Sequence, residues 1–324
     1  MLRICGDKEE WDDYVLEHGG HPLQLWGWGQ VKKAHGWSVE RLFVEDDEGV
    51  ILGGAQVLIR PLPFPLKAFS YIPRGPLASD ENFENVLETI AERMKRVHKA
   101  VVLSVEPGEG APALPNGWVK AANNILSPQT ILLDVSKSES DLLAYMAKKT
   151  RQYIRKSSAE VSISQVRSSE ELEACLELYR QTGKRAGFNL HSDQYYRDIY
   201  GQLKDHSPIF IARSGSEIVA FLWLAISADT SYELYGGVNE TGQTLRANYA
   251  LKWHAIRKVK EWGISSYDFG GMVAGGVSIF KQGWASVETE FVGTYDKPLS
   301  KFYVIWNRGL PLAKKTAQKI RKRR

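Results

Sequence analysis

Two stretches of this chain share one pattern. Residues 43–52 (FVEDDEGVIL) read as strand, charged turn and strand, and residues 210–219 (FIARSGSEIV) read the same way. Each is followed by a strand associated with a tyrosine near glycine, Tyr71 in YIPRGP and Tyr235 in YGGVN. A helix comes next in each, then a short strand closing on an acid, Glu106 in LSVEP and Asp268 in YDFGG. Tyr71 and Glu106 lie 35 positions apart, Tyr235 and Asp268 33. A match in order and spacing across successive elements leaves few folds open, and duplication of one α/β unit explains both halves. The length agrees, since 324 residues exceed what a single hydrophobic core usually organises.

Strand, turn, strand, strand, helix, strand is the order of the GNAT acyltransferase fold. The expectation is therefore an α/β (α+β) protein of two GNAT-like units side by side, with a cleft between them as the ligand site. The expected boundaries are 1–136 for the first unit, joined by the C-terminal segment 299–324, and 137–298 for the second. Periodicity further predicts a single helix over 138–156 and a helix over about 245–262, in which Ala247, Leu251, Ala255 and Val259 form one apolar stripe. It also predicts a strand over 287–294 and a largely helical, basic end from 299 onward.

With 43% hydrophobic and 25% charged residues the composition is that of a globular protein. The longest apolar run, residues 218–226, is far short of the ~20 residues that a membrane-spanning helix needs. Two cysteines and no apolar run near the start predict a reducing, cytoplasmic setting. The net charge of +4 hides an asymmetry: residues 308–324 hold eight cations, Lys322 among them, and no acid, so the remainder is negative. Such a tail either attracts polyanions and anionic lipid or is a solvated terminus. No histidine pair has metal-ligand spacing with a third ligand, and no GxSxG, P-loop or GxGxxG occurs, so no metal and no cofactor are expected.

Cations and aromatics gather at element ends instead. Lys32 closes a Trp-rich helix over residues 26–37. Lys148, Lys149, Arg151, Arg155 and Lys156 put five cations in nine residues, and 148, 151 and 155 share a helix face that suits phosphates if it is not simply solvated. Arg185 precedes Gly187-Phe188, the pair Tyr195-Tyr196 follows, and glycine pairs at 270–271 and 275–276 lead into Phe280-Lys281. A lysine between aromatics after a glycine hinge is an unusual place for a merely solvated cation.

Taken together these residues resemble the FemABX aminoacyltransferases, in family order over essentially the whole chain. The matching elements are Trp28-Gly-x-Val-Lys32 with Gly36-Trp37, Tyr71-Ile-Pro-Arg-Gly-Pro76, Glu106-Pro107, Thr130 before a strand, Lys149-x-Arg151-x3-Arg155, Arg185-x-Gly-Phe188, Tyr235-Gly-Gly237, Tyr267-Asp-Phe-Gly270 and Phe280-Lys281-x-Gly283. The resemblance implies transfer of an amino acid from aminoacyl-tRNA to the side-chain amine of a peptidoglycan-precursor stem peptide. It brings the twin GNAT-like fold as well. An aminoacyl ester is already activated, so the protein need only align the reactants and stabilise charge.

By the same resemblance Lys281 is the catalytic cation and Phe280 positions the acceptor end. Lys32 and Arg185 would hold the pyrophosphate of a UDP- or lipid-linked muropeptide, while Tyr71, Glu106, Tyr196, Tyr235 and Asp268 would contact substrate. Glu106 or Asp268 is open to two readings, acceptor of the amine proton or cap of a strand end. No heptad stretch interrupts the second half, so the chain resembles a short member without the helical arm of longer ones. That leaves Lys148, Arg151, Arg155 and the Lys322 tail as candidates for gripping tRNA, the tail also for contact with the inner membrane face. The competing class is a CoA-dependent GNAT N-acyltransferase, whose Q/R-x-x-G-x-G/A turn corresponds here to residues 240–247 (ETGQTLRA), without the second glycine.

Overall fold

The computed structural model describes residues 1–272, 276–285, 287–307 and 309. Lys322 and the rest of the tail cations from Arg308 on lie outside the described residues, as does Gly275. The chain divides into two compact units. One comprises Met1–Tyr14, Lys32–Pro128 and the residues from Phe291 on, the other Val15–Val31 and Gln129–Glu290.

The first unit is built on an eight-stranded sheet. Its order is Leu2–Ile4, Ser38–Glu45, Ile51–Pro61, Ala68–Pro73, Ala100–Glu106, Tyr295–Pro298 and Val119–Lys120, with Leu77–Ala78 paired to Ile51–Pro61 off that path. All neighbours are antiparallel except Ala68–Pro73 and Ala100–Glu106, which run parallel with Pro73 opposite Glu106. Parallel strands need a long crossover, and helix Phe83–Arg96 supplies it. Phe83, Val86, Leu87, Ile90, Ala91 and Met94, spaced three and four apart, form its buried face. Every residue of Ala100–Glu106 is buried, so the acid ending that strand is enclosed as well.

The second unit repeats the plan. Its six-stranded sheet runs Ser162–Gln165, Ile209–Ser214, Glu217–Ile226, Thr230–Val238, Ser266–Asp268 and Leu132–Asp134. The single parallel pair is Thr230–Val238 with Ser266–Asp268, Tyr232 opposite Asp268, and helix Ala247–Glu261 is the crossover. The predicted stripe of Ala247, Leu251, Ala255 and Val259 is buried, together with Lys252. The duplicated GNAT-like unit read from the sequence is thus present. In each unit the strand flanking the acid-bearing one, Tyr295–Pro298 or Leu132–Asp134, pairs with it antiparallel.

Two expected elements differ. The helix over 138–156 is two helices, Glu139–Tyr145 and Lys148–Glu160. The break is possible because Arg151 Nη1 donates to the carbonyls of Leu143 (3.1 Å) and Met146, and the Ala147 amide donates to Gly283 O at 3.0 Å. Of the strand over 287–294 only Thr289–Glu290 forms, paired with Gln129–Thr130. Gly293, at φ 74°, then turns the chain into Tyr295–Pro298. Among the described residues no helix is long and apolar enough to cross a membrane, and no group of three His, Cys, Asp or Glu could hold a metal.

Candidate active site

Ligands of open α/β sheets bind beyond the carboxyl ends of parallel strands, which directs attention to Glu106 in one unit and Asp268 in the other. Glu106 is 1% exposed. Its Oε2 accepts from the Tyr71 hydroxyl, and its Oε1 accepts from the Thr294 hydroxyl and from the amides of Ile125 (2.9 Å) and Leu126 (2.8 Å). The structure thus brings Tyr71 and Glu106 together, and four donors hold the carboxylate in place.

In the second unit Asp268, also 1% exposed, accepts from the Thr130 hydroxyl and from the Gly270 amide at 2.7 Å. Gly270 sits at φ 68°, and a Cβ there would lie 2.9 Å from Glu233 O, so the turn after Asp268 requires glycine. That turn aims two carbonyls at Lys281. Its Nζ donates to Gly270 O at 3.1 Å and Gly271 O at 2.9 Å, with 8% of the residue exposed. Burial holds the Lys281 ammonium below the usual lysine range, and the charges of Glu233 and Asp268 push it back up.

Phe280 packs edge-on to Tyr249 with ring centroids 4.9 Å apart, and to Trp284 at 6.0 Å. The Gly283 of the same motif is required by packing, because a Cβ there would meet Thr150 Oγ1 at 2.6 Å. Beneath lies a pair that periodicity alone did not single out. Lys252 Nζ is 2.6 Å from Glu233 Oε1, which also accepts from the Tyr267 hydroxyl at 2.7 Å. Lys252, 4% exposed, stands over the rings of Phe269 (4.4 Å) and Phe280 (5.1 Å), and burial lowers its pKa to about 8. Its only sequence signal is a lysine next to the apolar stripe, adjoining Leu251.

The remaining candidates lie elsewhere. Tyr196 and Tyr235 meet at 5.1 Å in an aromatic cluster with Tyr179 and Trp223, where burial raises the pKa of both hydroxyls. Arg185 donates to Val238 O at 2.9 Å. Val238 is six residues along its strand from Tyr232, the partner of Asp268, a span of about 20 Å at strand rise, so Arg185 is not part of the Lys281 group. Lys148 and Arg155 are exposed on helix Lys148–Glu160, whereas Arg151 caps the preceding helix. Lys32 lies in the last turn of helix Trp26–Ala34, where burial and the neighbouring Arg60 charge lower its pKa to about 8. Neither cysteine is exposed, and burial pushes the Cys175 thiol up to about 12.

The turn at which a GNAT enzyme would cradle the CoA pyrophosphate is already filled. Asn239 Oδ1 accepts from the Gly242 amide at 2.8 Å, and Glu240 places a carboxylate in the first helical turn. The adjoining open hollow of about 680 Å³ is shared by Arg185, Lys184 and the acids Glu217 and Glu240.

A sequence model of the FemAB family matches residues 7–113, and one of an acetyltransferase (GNAT) domain matches residues 144–282. The chain is 22% identical to the Lipid II:glycine glycyltransferase of Staphylococcus aureus (strain USA300), covering 93% of this chain and 94% of that protein. That alignment runs over 395 positions, so the staphylococcal protein holds segments with no counterpart among these 324 residues. The crystal structure of FemX superposes with a TM-score of 0.80 at 19% identity over 94% of this chain and 99% of that one. A tandem GNAT protein from the clavulanic acid biosynthesis pathway superposes at 0.53, with 11% identity over 93% and 99%. Over residues 7–113 the chain is thus similar to the FemAB family, over nearly its whole length it is similar to the staphylococcal glycyltransferase, and in fold it is similar to FemX.

Proposed function

We propose that the chain is an aminoacyltransferase that moves an amino acid from aminoacyl-tRNA to the side-chain amine of a peptidoglycan-precursor stem peptide. The observation that carries this reading is Lys281, an enclosed ammonium held, among the described residues, by two backbone carbonyls at the carboxyl end of a parallel strand pair. In this reaction the amine attacks the ester carbonyl, a C–N bond forms and the C–O bond to the ribose breaks. The amine proton leaves and the ribose oxygen gains one. Negative charge appears on the carbonyl oxygen and then on the ribose oxygen, and an ammonium in a site shielded from water stabilises it best. Lys281 would turn from the Gly270 and Gly271 carbonyls to that oxygen, while Phe280, braced by Tyr249 and Trp284, positions the acceptor.

The staphylococcal relative is named for lipid II and glycine, which favours a lipid-linked or UDP-linked muropeptide as the acceptor here. Lys32 and Arg185 would contact its diphosphate. The exposed Lys148 and Arg155 and the cations around Lys322 suit the tRNA backbone or an anionic lipid surface. CoA-dependent acylation is disfavoured by the occupied Gly242 amide and by Glu240.

The test is an assay of the purified protein with a panel of charged tRNAs and with UDP- and lipid-linked precursors. A branched stem peptide detected by mass supports the reading. Product formed only with an acyl-CoA donor overturns it.

A further inference from the structure

Arg74, in the YIPRGP segment, follows strand Ala68–Pro73 at the same sheet end as Tyr71 and Glu106. It is 5% exposed, yet among the described residues its guanidinium makes no hydrogen bond and no ion pair, and its Nε is enclosed without any partner. One contact holds it: the guanidinium lies over the Phe291 ring, 3.6 Å from the centroid. Stacking covers the face of the group and leaves its in-plane N–H donors unspent. A buried cation without an acid costs folding free energy. The neighbouring acid does not relieve it, because the oxygens of Glu106 are taken by Tyr71, Thr294 and the amides of Ile125 and Leu126.

Resting on the transferase reading above, we propose that Arg74 is an oxyanion-binding residue of the acceptor site, its fork engaging a carboxylate or phosphate of the muropeptide. Phe291 fixes the plane of the fork. Planar, two-pronged donation suits a carboxylate or a phosphate, and a lysine cannot reproduce it. The two sources of such an oxyanion in the precursor are the stem-peptide carboxylates and the diphosphate.

The experiment is equilibrium binding by the full chain of three probes: a UDP-linked muropeptide, the same molecule with its peptide carboxyls amidated, and UDP alone. Wild type, Arg74→Met and Arg74→Lys are compared, with thermal midpoints recorded. Arg74→Met is expected to bind the muropeptide about tenfold to a hundredfold more weakly, the loss of a charge-assisted pair, and Arg74→Lys to recover only part. If the partner is a peptide carboxylate, amidation weakens wild type to the level of Arg74→Met and leaves UDP binding equal in all three. If it is a phosphate, the variants lose UDP in the same proportion.

Arg74→Met should also melt no lower than wild type, since it removes an unpaired buried charge. A lowered midpoint with unchanged muropeptide binding would make Arg74 a structural residue and overturn the proposal. So would unchanged binding of all three probes by a folded Arg74→Lys. The amidation arm needs no variant at all. Because binding is read without turnover, absence of transfer in a separate assay counts against the transferase reading and not against Arg74.

Discussion

The carboxyl ends of the two parallel strand pairs are alike in plan and opposite in emphasis. Each ends in a buried acid fixed by a threonine hydroxyl and by backbone amides: Glu106 by Thr294, Ile125 and Leu126, Asp268 by Thr130 and Gly270. Each has a cation nearby. In the first unit that cation, Arg74, is stacked on Phe291 with its donors unspent. In the second, Lys281 donates to carbonyls whose position the acid sets, and a second buried lysine, Lys252, is neutralised behind it by Glu233. Duplication therefore supplied one framework, an acid locking a turn, and the cation beside it diverged. A carboxylate so fully engaged organises a loop, and the roles proposed above, charge stabilisation for Lys281 and oxyanion binding for Arg74, go to the cations beside it.

The largest effect should come from breaking the pair that only the second unit has. Lys252→Met leaves the largely enclosed Glu233 carboxylate with the Tyr267 hydroxyl as its remaining donor among the described residues, and loss of one partner of a buried ion pair costs about 3–5 kcal/mol. Urea unfolding measures it. Lys252→Met with Glu233→Leu should regain much of the loss, and a double variant no better than the single one would show that the pair is not coupled.

Next comes Lys281→Ala, expected to slow single-turnover transfer by about 100- to 1000-fold while muropeptide affinity stays near wild type. A cation acting only on charge that develops during reaction affects turnover and not ground-state binding. Near-normal turnover would remove Lys281 from its role and leave the second unit without a catalytic cation.

Much of this comparison was legible in the sequence. The Tyr71–Glu106 and Tyr235–Asp268 spacing exposed the duplication because strand, helix and strand lengths are set by local periodicity. Phe280-Lys281 stood out because a glycine hinge and flanking aromatics are local features too. Lys252 and Glu233 did not stand out, since their pairing joins a helix to a strand 19 positions away and neither has a motif. Arg74 lay in plain sight within YIPRGP, but that its Nε has no hydrogen-bond partner among the described residues is a property of three-dimensional packing. The split of the helix over 138–156 was hidden for the same reason: Arg151 and Gly283 together satisfy the break, and residue 283 is remote in sequence.

A smaller effect separates the two threonines. Thr294→Val and Thr130→Val each deprive a buried carboxylate of one donor, worth about 1–3 kcal/mol. Thr130 Oγ1 also lies 2.9 Å from Gly270 O, the carbonyl that Lys281 contacts, so Thr130→Val should slow transfer as well as lower the melting temperature. Thr294→Val should lower stability alone. Equal loss of turnover in both would mean that Glu106 acts in the reaction and that the two ends are functional equals.

The smallest expected effect is a pH dependence confined to the first unit. Burial and the Arg60 charge lower the Lys32 pKa from about 10.5 to about 8, so the folded chain gives up this proton at a pH where the unfolded chain keeps it. Between about pH 8 and 10 the unfolded state thus binds more protons, and this group's contribution to stability rises with pH. Diphosphate binding follows the opposite sign, because only the protonated ammonium attracts the anion. Above pH 8 affinity for UDP should fall by up to about tenfold per pH unit, and binding should take up a proton, measurable as a dependence of the binding heat on buffer ionisation. Lys32→Arg keeps its charge throughout this range and should abolish both the slope and the uptake. Other groups titrate nearby, Lys252 included, so the deciding quantity is the difference between wild type and Lys32→Arg. A slope common to both proteins would assign it to a group other than Lys32 and leave Lys32 without a phosphate to bind.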